Sequence, residues 1–569
     1  MTRRYITAFL ALGLLVISTL PVILGNSLEW SNIYSSQDWG STVYTINYGK
    51  GLGTPFYQSL EEEDDIFATY FAKDENTGNN VTILRVLFTN GSVSKVFVIS
   101  GADYTNIYPG DVDLSYDGGY VILVLTGRES GGDADGLIVI INNSNSSDYS
   151  TFILDSLSSD SVTITSIGFE AGFYTSNHKL FVVGNAVYNG VSYGLLVAFT
   201  FDGEDIVGEW ARIFSASGIG FSESPYVTHV FFRDVTIGPD GYLYVGAYLP
   251  YSSGTQFYDY YGGVVKMDPQ TGDVITSHFY DLSYQNTVAS ATWTAEISTD
   301  GDYIYALFNA FLSDSSRGVL IGKLDTDLDP VWTEYWNEPG YTDLGFDLEA
   351  TSQGNLVVSG VTDRDYETSL SGFNTLMLSL SSSDGSCESA TVIGGGGDDI
   401  TRNIALNHEG FLYGLGYTTS QGNMESFEVG CSNIQVSQRV NKPVAVSSKP
   451  APYSIGPREI IGHGEVPYNI PASQATDEHK QGDADVDSLS TSLFHLPKEG
   501  SYVKDKGLLL STLTPPVGLP SEDPPGLLYR LSEPIGEPIP PPEPVPESAW
   551  IALIITLSAI ILIGRKYWF

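Results

Sequence analysis

Apolar and aromatic residues come in short runs along this chain, each closed by a cluster of Gly, Asp, Asn or Ser, which is the layout of β-strands joined by turns. The stretch 237–248 (IGPDGYLYVGAY) shows the unit best. Asp240-Gly241 suits a two-residue hairpin turn, since both residues tolerate the positive φ such a turn asks for. Tyr242 to Val245 are strand formers, and Gly246 lets the strand run close to a neighbouring backbone. The phrase recurs around Tyr120 (YDGGYVILVLTG), Tyr303 (TDGDYIYALFNA), Leu356 (SQGNLVVSGVT) and Phe411 (HEGFLYGLGYT). Weaker copies surround Phe67 and Leu180, which makes seven anchors spaced 53 to 62 residues apart.

A second phrase follows each anchor, as in GGVVKMDPQTG (262–272) and RGVLIGKLDTD (317–327), and a third leads into the next unit, as in PVWTEYW (330–336). Each period therefore holds about four short strands and no helix. Long periods of this kind mark radial or stacked repeats, and four strands per unit point to a propeller blade. The pattern predicts an all-β chain: a seven-bladed β-propeller of four-stranded blades over residues 40–435. β-Solenoids have shorter periods and serial sandwiches longer ones. Ser41–Tyr48 (STVYTINY) reads as an outer fourth strand that fills the last blade and closes the ring, removing exposed sheet edges.

The order of an aromatic strand, GG-x-DD, a strand, DG-aromatic, a strand and G-x-T resembles the Gly-rich β-propeller repeats of bacterial and archaeal cell-surface proteins. Residues 392–420 (VIGGGGDDITRNIALNHEGFLYGLGYTTS) carry it best, while the units around Phe67 and Leu180 lack the DG turn. The resemblance implies a fold and an extracellular setting, and no particular reaction.

Both ends of the chain agree with export. Thr2-Arg3-Arg4, an apolar run from Tyr5 to Leu24 and then Gly25-Asn26-Ser27 have the layout of a signal peptide over 1–27, an uncleaved anchor being the alternative. Residues 436–547 are rich in Pro and end in PIGEPIPPPEPVPES (534–548), which reads as an extended linker or stalk. Ala549 to Gly564 is apolar and is followed by Arg565-Lys566, so 548–569 reads as one transmembrane helix with its basic end inside the cell. The acidic stalk, VPES, apolar run and basic end also resemble the C-terminal sorting signals processed by exosortases and archaeosortases.

Composition sharpens this picture. The formal charge is −42, from 68 acidic and 26 basic residues, which opposes binding to nucleic acid or anionic lipid. Two cysteines exclude a disulfide scaffold but allow one bridge, Cys387–Cys431, in an oxidising compartment. Sequons at Asn80, Asn90, Asn142 and Asn145 are candidate glycosylation sites.

Candidate chemistry is sparse. The segment 248–263 reads as a loop carrying Tyr248, Tyr251, Phe257, Tyr258, Tyr260 and Tyr261, and blade-joining loops add Tyr104, Tyr108, Trp336 and Tyr341. Together these suit a partner-binding face for protein or glycan, or else they pack on one another. Asp325, Asp327 and Asp329, Asp483, Asp485 and Asp487, Asp133 with Asp135, and the run from Glu61 to Asp65 lack the Gly and Glu spacing of a calcium loop. No metal or other cofactor is therefore expected, calcium being a weak alternative. Gly190-Val-Ser192-Tyr-Gly194 lies between strands and lacks the strand-to-helix elbow of a hydrolase. No catalytic residue is assigned. Arg128, Arg233 and Arg402 show no repeat logic. The expectation is a non-catalytic binding, adhesion or envelope module at the cell surface. The alternative is a surface-anchored glycan hydrolase or lyase acting at the propeller channel. Carboxylates converging on the channel with Arg or Tyr would favour the enzyme, and an apolar or plugged channel the binding module.

Overall fold

The computed structural model describes residues between 28 and 429, with breaks in several loops, and then 445–446, 459–461, 491–495, 508–513 and 526–531. The expected signal peptide and transmembrane segment lie outside the described residues, among which no helix is long and apolar enough to cross a membrane.

Among the described residues, seven strands contribute to the lining of one cavity. They are β1 (Thr42–Gly53), β2 (Tyr104–Leu114), β3 (Ile164–Tyr174), β4 (Phe231–Ile237), β5 (Ala295–Thr299), β6 (Asp343–Ala350) and β7 (Asp399–Leu406). Each touches the next, and β7 returns to β1. From each an antiparallel meander runs outward; from β4 it continues through Leu243–Ser253, Gln256–Met267 and Val274–Asp281. The chain is thus all-β and propeller-like.

Side chains alternate across such a sheet, and here both faces are covered. Val245, Val265 and Phe279 pack against Phe181, Val183 and Leu196 of the preceding sheet. Tyr244, Val264 and Tyr280 turn the other way, onto Ile304, Ala306 and Phe308 of the following one. The middle strands therefore read as nearly unbroken apolar runs, and Asn355–Thr362 is buried at every position. Gly246 is forced by this packing, because a Cβ there would drive into the Ala295 carbonyl oxygen of the next sheet. The turn before it is longer than the sequence pattern predicts. It spans residues 238–242, with Gly241 at φ 78° and Asp240 Oδ1 accepting from the Tyr242 N–H.

The closing sheet differs from expectation. Thr42–Gly53, which includes most of Ser41–Tyr48, is the innermost strand β1 and not an outer fourth strand. The sheet built on β7 runs outward through Leu412–Thr418 and Gly526–Leu531 to Leu28–Tyr34. The two ends of the described chain thus meet there. Glu425–Val429 instead adds an edge strand to Cys387–Gly394. The reason is burial: a third strand is a continuous apolar run, and in several of the sheets, this one included, it also carries a cation. Arg530 lies 3.7 Å over the Phe411 ring, as Lys266 lies 4.6 Å over Tyr242 and Lys323 lies 3.8 Å over Tyr303. Tyr529 beside it is fully buried, its hydroxyl 3.0 Å from Thr401 Oγ1.

Short segments of the region read as a linker or stalk also pair with the sheets. Within 436–547, Ala445–Val446, Thr491–His495 and Leu508–Leu513 add to the outer edges of Val274–Asp281, Ile206–Phe214 and Val93–Gly101. The strand Glu425–Val429 places Val429 opposite Ala390, two residues before Cys431. Cys387 is disulfide-bonded, and Cys431 lies outside the described residues.

Candidate functional site

The axis is lined by inner-strand side chains around a cavity of 820 Å³. Bulges aim several of them inward, as bulges commonly do beside functional sites. The extra residue is Gly110 in β2, Glu170 in β3, Arg233 in β4, Phe346 in β6 and Arg402 in β7. Arg233 and Arg402 thus share a repeat position that their sequence surroundings do not show.

Most polar residues just past the bulges tie neighbouring strands together. Asp234 accepts from its own Val235 N–H at 2.7 Å and from Ile297 N–H of β5 at 2.8 Å. Asp347 does the same with Leu348 at 2.8 Å and with Ile404 of β7 at 2.7 Å. Asp111 reaches Gly172 N–H at 3.4 Å and Asp113 reaches Tyr174 N–H at 2.6 Å, both on β3. Asn403 Oδ1 accepts from Gly51 of β1 at 3.2 Å, and Ser298 Oγ from Ala350 of β6 at 3.1 Å. Two glutamates break the pattern. Glu296 and Glu349 occupy the same kind of inner-strand position and line the cavity, yet neither side chain makes a hydrogen bond among the described residues. A glutamate is one methylene longer than the aspartates that fit this tie.

Charge in the channel is divided. Glu170 accepts from Lys50 Nζ at 3.0 Å and pairs with Arg233 Nη1 at 2.8 Å. Burial works to raise its pKa, but Arg233 and then Lys50 outweigh it and hold the carboxyl down at about 2. The other acids move the opposite way. Burial lifts Asp111 to about 6 and Asp113 to about 7, against the backbone N–H groups that favour the ionised form. Asp234 and Asp347 are raised chiefly by burial, with the charge of Asp111 adding to both and that of Asp347 to Asp234. Glu296 and Glu349 lie well above the ordinary carboxylate range, first through burial and then through Asp234, Asp347 and Asp111. One channel therefore holds a carboxylate whose ionised form is favoured beside others whose protonated form is favoured, a division that acid–base chemistry exploits. Among the described residues no group of three His, Cys, Asp or Glu is placed to hold a metal ion.

The aromatic face is not assembled as expected. Tyr104, Tyr248 and Trp336 are buried in the cores between sheets, and Tyr104 donates its hydroxyl to Asp135 at 2.9 Å. Tyr108 stacks on Phe71 at 4.8 Å, and Tyr261 packs against Phe221 at 4.8 Å. The segment 248–263 is a hairpin extension of two strands and not an open loop. The side chains of Tyr251, Phe257, Tyr258 and Tyr260 lie outside the described ones. Tyr341 is exposed. Asn80 begins one strand and Asn142 ends another, both half-buried, whereas Asn90 and Asn145 lie outside the described residues. Asp325 accepts from the N–H groups of Asp327 and Asp329, both at 2.9 Å, and so forms an ordinary turn. Ser192 lies within the strand Val191–Phe201.

No protein-family description and no curated protein matches the chain. Among solved structures, an acylaminoacyl peptidase from Pyrococcus horikoshii aligns at 8% identity and TM-score 0.34, over 72% of this chain and 54% of its own. Prolyl oligopeptidase B from Galerina marginata aligns at 11% identity and TM-score 0.33, over 66% and 49%. The chain spans about half the length of these proteins, and likeness at this level carries no functional argument.

Proposed function

We propose that the protein is an extracellular, membrane-tethered, seven-bladed β-propeller that takes a glycan into its axial channel and hydrolyses it with channel carboxylates. One observation carries this reading: Glu296 and Glu349 line the cavity free of the inter-strand ties that occupy the aspartates around them. A proton-bearing glutamate can protonate the glycosidic oxygen as the C–O bond breaks. A second, ionised carboxylate takes a proton from the water whose oxygen bonds to the anomeric carbon. Burial and neighbouring negative charge favour the proton-bearing form of both glutamates, which suits the first role. Apolar walls such as Phe173, Phe346 and Phe373 offer surface for the sugar rings. The cell-surface setting rests on the export and anchor signals in 1–27 and 548–569.

The test is incubation of the full chain with a panel of polysaccharides and measurement of new reducing ends. E296Q and E349Q are each expected to lower turnover by about 10²- to 10⁴-fold while glycan binding persists. Binding without turnover in the parent chain would return the protein to a non-catalytic role. Turnover that both variants leave unchanged would remove the channel from the chemistry.

A further inference from the structure

We infer that Arg402 is a carboxylate handle, so that the channel prefers a glycan bearing uronic acid; this rests on the glycan reading above and names its substrate class. Arg402 is the bulge residue of β7 and lines the 820 Å³ cavity. Its guanidinium lies 5.3 Å from the Tyr48 ring and 5.8 Å from the Phe346 ring, between two aromatic walls. The cavity's other two cations are committed, since Lys50 and Arg233 both bind Glu170. Arg402 has no ion pair or hydrogen bond among the described residues, and its buried Nε–H has no acceptor there.

A second possibility is that Arg402 offsets the field of the channel acids. The charges argue against it. The phenols of Tyr48 and Tyr417 feel Arg402, whereas Glu296 and Glu349 are governed by burial and by other carboxylates, and Asp347 by burial and by the N–H groups of Ile404 and Leu348. A guanidinium near two rings, with no carboxylate partner among the described residues, suits bidentate recognition of a planar carboxylate. A neutral sugar can offer only single, uncharged hydroxyl acceptors to those donors, whereas a carboxylate offers two charged acceptors in one plane. The net charge of −42 repels anions at long range, but extracellular salt screens that field within about 10 Å, which leaves the local donor set to decide affinity.

The experiment compares binding of an oligouronate, its methyl ester and a neutral oligosaccharide to the full chain by calorimetry. The parent is expected to bind the oligouronate at least 10-fold more tightly than the ester. R402Q should equalise the two while its melting temperature confirms folding. R402K keeps the charge and the ring contacts but loses the planar fork, and should retain only part of the preference. A parent that does not distinguish acid from ester overturns the inference, as does a preference that survives in R402K undiminished. Neutral-oligosaccharide binding in the same titrations reports on the glycan reading separately: if it occurs without an acid preference, only the Arg402 assignment falls.

Discussion

At Asp234 one carboxylate holds two backbone N–H groups, one on its own strand and one on β5. Asp234→Ala leaves both buried donors unmatched and is expected to cost roughly 1–3 kcal/mol, read from urea unfolding at pH 7. Asp234→Asn keeps an acceptor for the cross-strand tie, as Asn403 does for Gly51, and should cost less. Equal losses in the two variants would show that the tie is not what the carboxylate supplies. These residues leave a trace in the sequence. Asp111, Asp234, Glu296, Asp347 and Asn403 each stand four positions before the residue that opens the next turn, namely Ser115, Gly238, Asp300, Thr351 and Asn407. Alternation alone hides the trace, because a charged residue in an alternating strand reads as facing solvent. The tyrosines mislead for the opposite reason. An aromatic with a polar tip looks the same in sequence on a rim or in a core, and Tyr104 and Tyr248 satisfy core packing.

The strands themselves are largely legible, since turn residues punctuate them and both faces of the middle strands need apolar side chains. Closure of the ring is less so, because it joins segments more than a hundred residues apart. The phrase GLLYRLS (526–532) is a copy of GGVVKMD (262–268), with Arg530 in the place of Lys266. A Pro-rich neighbourhood disguises it. Its placement has a direct consequence for truncation. A chain ending at residue 435 contains the inner strands but lacks the strand between Leu412–Thr418 and Leu28–Tyr34. Such a chain is expected to melt at a lower temperature and to self-associate through the bared edge. A synthetic peptide spanning 519–535 should restore the melting temperature when added in trans. The same peptide with Tyr529→Asp should fail, because that side chain is fully buried. A truncated chain as stable as the parent would mean that Gly526–Leu531 is dispensable for closure.

Across the whole molecule, the inner ring concentrates acids whose folded-state pKa is raised, and this sets the direction of its pH response. Asp111 rises to about 6, and Asp113 and Asp343 to about 7, each chiefly through burial. An unfolded aspartate titrates near 3.9. Between about pH 4 and pH 7 the folded chain therefore holds more protons than the unfolded one, and stability must fall as pH rises through that window. Glu170 has the opposite sign, since its carboxyl is held at about 2 and its contribution is lost only as pH drops below about 4. The two trends leave a maximum near pH 4 to 5, well below neutrality. Melting temperatures measured from pH 3 to pH 9 should show that maximum and a decline toward pH 8. Asp113→Asn removes one of the raised groups while keeping an amide oxygen to accept from Tyr174 N–H, so its decline should be shallower than the parent's. A melting temperature that climbs steadily to pH 8 would require the acids to be solvated and ionised in the folded state, and the channel could not then hold the proton-bearing carboxyls on which the proposed hydrolysis depends.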